Sequence, residues 1–309
     1  MNHYFEQLLN AYWLRPETAL WRSIDIQTMR DFQFQSPSLD LGCGDGIFSF
    51  IRAGGQFDIT FDAFQAVSNL DSFFDKVDIF DSFDTSLCPV VIKKGDYQID
   101  YAFDHKKNLL RKAKTLGLHK NFIVGDANKR LPFEDKTFNT VFSNIIYWLD
   151  DPKSIFVELA RVLKLKGRCC VMLPNRAFPE YSFYYDLYVK QKNNKFQFLE
   201  KLDRGRITDN IKHAKGTDEW TKMIESSGLT VVMHTMHLSK TTIQIWDVGL
   251  RPLFPILYKM ISELSKETVM EIKKQWVDIF STFLKPIAEM DSELNKDIEP
   301  GFHCFILEK

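Results

Sequence analysis

The residues of this chain best suited to chemistry are glycines and carboxylates. Leu39-Asp40-Leu41-Gly42-Cys43-Gly44-Asp45-Gly46 runs from an apolar strand into a glycine turn, and Ile47 to Ile51 resumes an apolar run. Glycine at such a turn lets the main chain approach a ligand where a Cβ would collide. The spacing is G-x-G-x-G. A dinucleotide fingerprint, G-x-G-x-x-G, needs glycine where Ile47 stands, so pyrophosphate binding is disfavoured. Further along, Asp104 closes the apolar run Ile99 to Phe103, and Gly125-Asp126-Ala127 closes another. His105, His213, His234 and His237 are candidate bases that spacing does not rank, although His237 stands where a helical region begins. The five cysteines lack C-x-x-C spacing and zinc-finger histidine partners, so they read as reduced thiols and no metal site is expected. Asp75, Asp78, Asp81 and Asp84 recur every third residue without the glycine and terminal Glu of a calcium loop, and read as solvated turns.

The elements that must hold these residues alternate. Residues 1–34 read as one or two aromatic-rich helices with Pro16 opening the second. Ser38 to Leu41 is a strand, and Ile47 to Ile51 is a helix stopped by Gly54-Gly55. Residues 56–98, rich in Asp and Phe, read as an insertion. Ile99 to Phe103 is a strand, and Leu109, Leu110, Ala113 and Leu116 stripe a helix closed by Gly117. Asn121 to Gly125 and Thr140 to Tyr147 are strands. Asp151-Pro152 caps a helix expected to stop at Gly167, before the strand Cys169 to Leu173. Thr217 to Ser227 is a helix, Leu229 to Met236 a strand, and Phe302 to Leu307 the last strand. Repeated strand-helix units imply a parallel sheet.

On the motif L-D-x-G-C-G-x-G, the chain resembles the class I S-adenosylmethionine-dependent methyltransferases, in their small-molecule branch. The resemblance covers residues 38–173, and Thr217 to Met236 more weakly. It implies an α/β, Rossmann-like fold: a seven-stranded, mostly parallel sheet with an antiparallel last strand, helices on both faces and helical insertions forming a lid. It implies S-adenosylmethionine as cofactor. Asp40, Gly42, Cys43, Gly44 and Gly46 would then cradle its methionine and ribose portions, Asp104 its ribose hydroxyls with His105 alongside, and Asp126 and Ala127 its adenine. Asp62 competes with Asp104 for the ribose, because Asp104 lies far beyond the usual distance from the glycine turn. Phe138 to Trp148 resembles the strand and loop beneath the transferring methyl, with Asn144 at the cofactor and Tyr147 where many relatives have His. Tyr147, with Trp148 beside it, is the candidate wall for the sulfonium. His237 is the candidate base.

The organisation that follows is a helical segment over 1–34 and a core over 35–237 carrying the insertion 56–98 and a lid segment 175–215. A helical lid insertion over 238–300 and a last core strand over 301–309 complete it. Topology is expected to place 56–98 away from the cofactor and both lid segments over the acceptor. The apolar stretch Val248 to Tyr258 reads as a buried helix packing on the core, the alternatives being the lining of a pocket for a lipid-like acceptor or contact with a membrane surface. At 309 residues, 45% of them hydrophobic, the chain can fill one large core. A net charge of -1 supplies no basic field for a phosphate backbone, so a small-molecule acceptor is expected rather than nucleic acid. With no leader-like start and no uncharged 18-residue stretch, a cytoplasmic protein without stable membrane association is expected. The rival readings are a non-catalytic S-adenosylmethionine-binding regulator and an RNA or protein methyltransferase. The missing Asn-Pro-Pro-Tyr at Ser143-Asn144-Ile145-Ile146 speaks against a nucleobase-amine acceptor.

Overall fold

The computed structural model describes residues 2–64, 84, 88–203, 212–249 and 254–309. Its strands are β1 (Ser38–Leu41), β2 (Gln56–Phe57), β3 (Val91–Lys93), β4 (Ile99–Asp104), β5 (His119–Val124), β6 (Phe138–Ser143), β7 (Leu163–Pro174), β8 (Thr230–His237) and β9 (Phe302–Glu308). The first five α-helices are α1 (Asn2–Ala11), α2 (Pro16–Thr28), α3 (Ile47–Arg52), α4 (Lys107–Thr115) and α5 (Pro152–Val162). After β7 come α6 (Phe178–Tyr181), α7 (Phe198–Asp203) and α8 (Thr217–Glu225); after β8 come α9 (Lys240–Gln244), α10 (Phe254–Ser262) and α11 (Lys266–Met290).

Seven strands form one sheet in the order β5-β4-β1-β6-β7-β9-β8, and β2 and β3 make a separate antiparallel ribbon. Pairing is parallel from β5 across to β7, and β9 is antiparallel to both of its neighbours. This is the expected Rossmann-like sheet. Every residue of β1 is buried, as befits a strand covered on both faces. The carboxyl ends of β1, β4, β6, β7 and β8 and the amino end of β9 therefore share one edge, where open parallel sheets take their ligands.

One face is covered by α5 and α8, whose Phe156, Leu159, Trp220 and Ile224 pack on Leu41, Val141, Val171 and Phe305. Asp151 caps α5 by accepting a hydrogen bond from Lys153 N–H (3.0 Å). The helix ends at Val162, not at Gly167 as expected. Leu163 is already extended, Lys166 takes a left-handed φ of 63°, and a Cβ on Gly167 would stand 2.8 Å from the Lys164 carbonyl oxygen. Gly167 thus serves a bend inside β7.

A second core unites α1, α2 and α3 with the helices that follow β7 and β8: Phe5, Trp13, Leu20, Phe50, Phe178, Phe254 and Leu284 are all buried in it. Full burial of one such ring is worth roughly 2–3 kcal/mol. The two segments expected to form a lid are tied to each other: Ser182 Oγ and Phe183 N–H donate to the buried Asp247 carboxylate (3.1 and 2.8 Å). The start of the 56–98 insertion joins this core. Phe64 packs 6.1 Å from Tyr12 and 4.9 Å from Phe254, centroid to centroid, and the buried Lys273 ammonium of α11 donates to the Phe61 carbonyl. The aspartates at 71, 75, 78 and 81 and residues 250–253 of the apolar stretch lie outside the described residues.

Candidate active site

The glycine turn leaves the end of β1 and is held by main-chain bonds. Gly42 and Cys43 N–H both donate to the Phe103 carbonyl at the end of β4 (2.8 and 3.1 Å), and Gly46 N–H donates to Cys43 (3.1 Å). Gly42, Gly44 and Gly46 all have left-handed φ, at 80°, 58° and 76°. Their surroundings differ. A Cβ on Gly42 would lie 2.6 Å from the Ile145 side chain and one on Gly46 would lie 3.0 Å from Ala113, whereas a Cβ on Gly44 would meet nothing within 4 Å among the described residues. Two of the glycines are packed against protein, and the third faces open space.

Asp104 closes this cradle. One carboxylate oxygen accepts from Gly44 N–H (3.0 Å) and the other from Lys106 N–H (2.8 Å), so the end of β4 is bonded directly to the turn. Asp62, the competing candidate, is occupied elsewhere, accepting from Trp13 Nε1 (2.9 Å) and Phe64 N–H (2.7 Å). His105 is exposed beside Asp104. Gly125 N–H donates to the Asp104 carbonyl (3.0 Å), which sets Asp126 and Ala127 next along the edge. Asp126 is solvent-exposed, and Asn128 N–H holds its carboxyl below the usual range; Ala127 is buried. Asp40 is not brought into the open. Its carboxylate lies under the turn, accepting from Ser49 Oγ (2.6 Å) and bonded to His119 Nε2 (3.0 Å). Cys43 is also buried, and burial together with Asp40, Asp104 and Asp45 pushes its thiol well up, against any nucleophilic role.

On the other side of the edge, Asn144 and Ile145 follow β6 and Tyr147 comes next. The Tyr147 ring meets Phe302, the first residue of β9, at 5.7 Å in an edge-to-face contact, while Trp148 is 55% exposed. Phe302 also packs on Trp21 of α2 (5.1 Å) and Phe178 of α6 (5.1 Å). His237 ends β8 with its ring 6.1 Å from Phe302, and its Nε2 lies 3.0 Å from Asp25 of α2, both side chains being buried. A carboxylate only accepts, so Nε2 carries the proton and Nδ1 presents a lone pair; that Nδ1 is buried with no partner among the described residues. The second oxygen of Asp25 takes Arg22 Nη1 (3.3 Å).

Residue types and spacing alone did not single out Asp25, Arg22, Tyr12 or Asp45, yet all four stand at this edge. Burial pulls the Arg22 guanidinium down, but Asp25, Tyr147 and Tyr12 together hold it above its ordinary value. Burial raises the Asp45 carboxyl, and Lys112 and Arg22 work against that rise. Burial, reinforced by Asp45, also pushes the Tyr12 hydroxyl well up. The one available signal was the three-residue spacing of Arg22 and Asp25, which puts both on the same face of α2. Of the other histidines, His234 and His303 bond each other (2.9 Å), and burial holds His303 at about 4.

Residues 85–171 match the family model described as a methyltransferase domain. The chain carries a class I, S-adenosylmethionine-dependent methyltransferase domain. It is 38% identical over 90 residues to the ubiquinone/menaquinone biosynthesis C-methyltransferase UbiE of Desulfotalea psychrophila, a match that covers 26% of this chain and 36% of that protein. The chain thus spans little more than a third of the length of this curated relative. Among solved structures it is similar to the [4+2]-cyclase SpnF, at 13% identity over 97% of this chain and 84% of that one, with a TM-score of 0.48. It is also similar to an S-adenosylmethionine-dependent methyltransferase of Mesorhizobium loti, at 12% identity over 92% and 96% of the two chains, with a TM-score of 0.45. The methyltransferase-domain match takes in Asp104, Asp126 and Tyr147 but not the glycine turn, α2 or His237. The cradle nevertheless suits the cofactor of such a domain: the space over Gly44, beside a carboxylate and bare main chain, is what a nucleoside joined to an amino acid requires.

Proposed function

We propose that this chain transfers the methyl group of S-adenosylmethionine to a small-molecule acceptor at the carboxyl edge of its sheet. The observation that carries the reading is the open space at Gly44 next to the Asp104 carboxylate. When bound, the cofactor supplies an electrophilic methyl group on a sulfonium. Asp104 accepts hydrogen bonds from the two ribose hydroxyls, a two-point contact that a single neutral acceptor cannot match. Asp126 and the Ala127 N–H take the adenine edge, and Gly42, Cys43, Gly44 and Gly46 offer main chain to the remainder, flanked by His105 and Asn144. Asp40 acts from beneath, holding the turn through Ser49 and the buried His119.

On the acceptor side Tyr147 forms the aromatic wall that orients the reacting groups and excludes water. His237 serves as the base for an acceptor that must lose a proton. Its Nδ1 lone pair has no partner among the described residues, and Asp25 fixes the tautomer and balances the imidazolium that forms. The segments 175–215 and 238–300 act as a lid, a role supported by their shared anchor at Asp247. A small-molecule acceptor is supported by a net charge of -1 and by the relative named for ubiquinone and menaquinone biosynthesis. No described helix is long and apolar enough to cross a membrane, in keeping with the cytoplasmic setting proposed here.

The experiment is calorimetry with S-adenosylmethionine and S-adenosylhomocysteine, followed by transfer of labelled methyl to panels of phenols, amines and carbon acids. Uptake of both nucleosides and label on at least one panel are expected. If neither nucleoside is taken up by the folded protein, the proposal is rejected.

A further inference from the structure

One cation at the carboxyl edge has no role in the reading above. Arg22 and Trp21 stand three and four residues before Asp25, which puts all three on one side of α2. The two oxygens of the buried Asp25 carboxylate are divided: one takes His237 Nε2 (3.0 Å) and the other Arg22 Nη1 (3.3 Å). A single carboxylate therefore joins the base to a guanidinium. Arg22 also lies 5.5 Å from the centroid of the Phe48 ring in α3, and that ring stacks on Phe142 of β6 (5.6 Å). The cation is fixed by packing as well as by Asp25, yet 34% of its side-chain surface stays accessible. Among the described residues Asp25 is its only carboxylate partner, and one such bond leaves most of the five donors of the fork unused. Beside it Phe178 and Phe302 are buried, whereas Trp21 and Tyr147, which pack on Phe302 at 5.1 and 5.7 Å, are only partly buried.

Building on the proposed methyltransferase reading, we propose that Arg22 reads a carboxylate carried by the acceptor, and that the acceptor is an aromatic acid. Its carboxylate lies on the guanidinium fork, which offers two parallel N–H···O bonds, and its ring lies against Trp21 and Tyr147. The carboxylate is the handle by which the acceptor is held, not the atom that is methylated. Charge balance gives the handle a second effect. Arg22 and Asp25 cancel, so a proton taken up by His237 leaves one buried positive charge in excess, and an anion on Arg22 offsets it. The handle belongs to the acceptor because the carboxylate that holds Arg22 also holds the acceptor's base. α2, which lies outside the matched residues 85–171, thereby becomes the element that sets acceptor specificity.

Calorimetry on the full chain saturated with S-adenosylhomocysteine tests this, with benzoate and its uncharged counterpart benzamide as probes. The wild type is expected to bind benzoate at least about tenfold more tightly than benzamide. Arg22→Gln, which keeps an N–H for Asp25, should weaken benzoate about 10- to 100-fold, the range of a lost charge-assisted contact, and so erase the preference. Arg22→Lys keeps the charge without the fork and should fall between the two. Both variants should hold S-adenosylhomocysteine and benzamide within about twofold of the wild type, which certifies the fold. A wild type that binds the two probes equally, or binds neither, overturns the proposal, as does unchanged benzoate affinity in Arg22→Gln. A folded variant that loses S-adenosylhomocysteine assigns Arg22 to the cofactor and overturns it as well. A wild-type chain that takes up no S-adenosylhomocysteine at all overturns the methyltransferase reading, and this inference with it.

Discussion

The carboxyl edge of the sheet is built in two ways. On the β1–β4 side the contacts are largely main chain: Gly42 and Cys43 N–H on the Phe103 carbonyl, and Gly44 N–H on Asp104. On the β8–β9 side they are side chain to side chain: His237 on Asp25 from 212 residues away, Asp25 on Arg22, and Trp21, Tyr147 and Phe178 around Phe302. A main-chain cradle constrains residue type tightly, since only glycine tolerates the left-handed turn and the close approach. A side-chain cluster is met by many sequences, provided the fold brings the partners together. The second kind of contact can therefore differ between proteins of one fold more freely than the first.

The sharpest way to break this comparison is to put a side chain on the bare turn. Gly44→Val directs its branches into space where no atom of the described residues lies within 4 Å of the Cβ, at the backbone strain of a left-handed φ of 58°. It is expected to cost about 1–2 kcal/mol of stability and to weaken S-adenosylhomocysteine by about a thousandfold, roughly 4 kcal/mol. Gly42→Val, whose Cβ meets Ile145 at 2.6 Å, should do the reverse damage, lowering the melting temperature strongly. Melting curves and titrations on the two variants read this directly. Equal effects on binding and melting would erase the distinction between the glycines.

The side-chain half is tested at Asp25. Removing one member of a buried charged cluster leaves its partners uncompensated, so Asp25→Ala is expected to destabilise the fold by about 3 kcal/mol. Chemical denaturation measures this, and a loss below about 1 kcal/mol would show that α2 and β8 are held together by the aromatic contacts alone. Asp104→Ala lies between the two halves in character, because its carboxylate both holds Gly44 N–H and faces the open space. The expectation is an affinity loss of about 1–3 kcal/mol, or roughly 5- to 150-fold, with a smaller fall in stability.

The division also explains what was legible in the residues alone. The strand and helix order from Ile99 onward, the glycine turn, Asp104 and Asp126 could be placed because each sits where a hydrophobic period ends in a turn. That register survives the long insertion, since β4 still pairs with β1 through Asp40↔Ala102 and Leu41↔Phe103. The end of α5 was misjudged because glycine reads as a helix stop, whereas here Lys166 and Gly167 bend a strand. The meeting of Asp25 and Arg22 with His237 was invisible: an amphipathic helix reports which face is buried, not which distant strand its charges will meet. The contacts by which the insertion attaches are of the same kind, as they depend on Phe64 reaching Tyr12 and Phe254.

The two halves also respond differently to pH. His303 opens the side-chain half on β9, accepting at Nδ1 from His234 and donating from Nε2 to the Lys215 carbonyl (3.2 Å). Burial, with the nearby His234 and His237 adding to it, holds its folded value at about 4, below the ordinary 6.5. As pH falls below 6.5 the unfolded chain takes up the proton first, so the stability this pair contributes is complete above that value and is lost progressively down to about 4. About 1 kcal/mol should disappear between pH 7 and pH 5.5 in the wild type. His303→Gln, which keeps a donor for Lys215 but cannot ionise, should remove most of that slope while leaving the nucleoside affinity of the main-chain half unchanged. Urea titrations at the two pH values check the first expectation and calorimetry the second. A slope that persists in the variant would move the acid sensitivity to His213 or His234, both of which burial also pushes down.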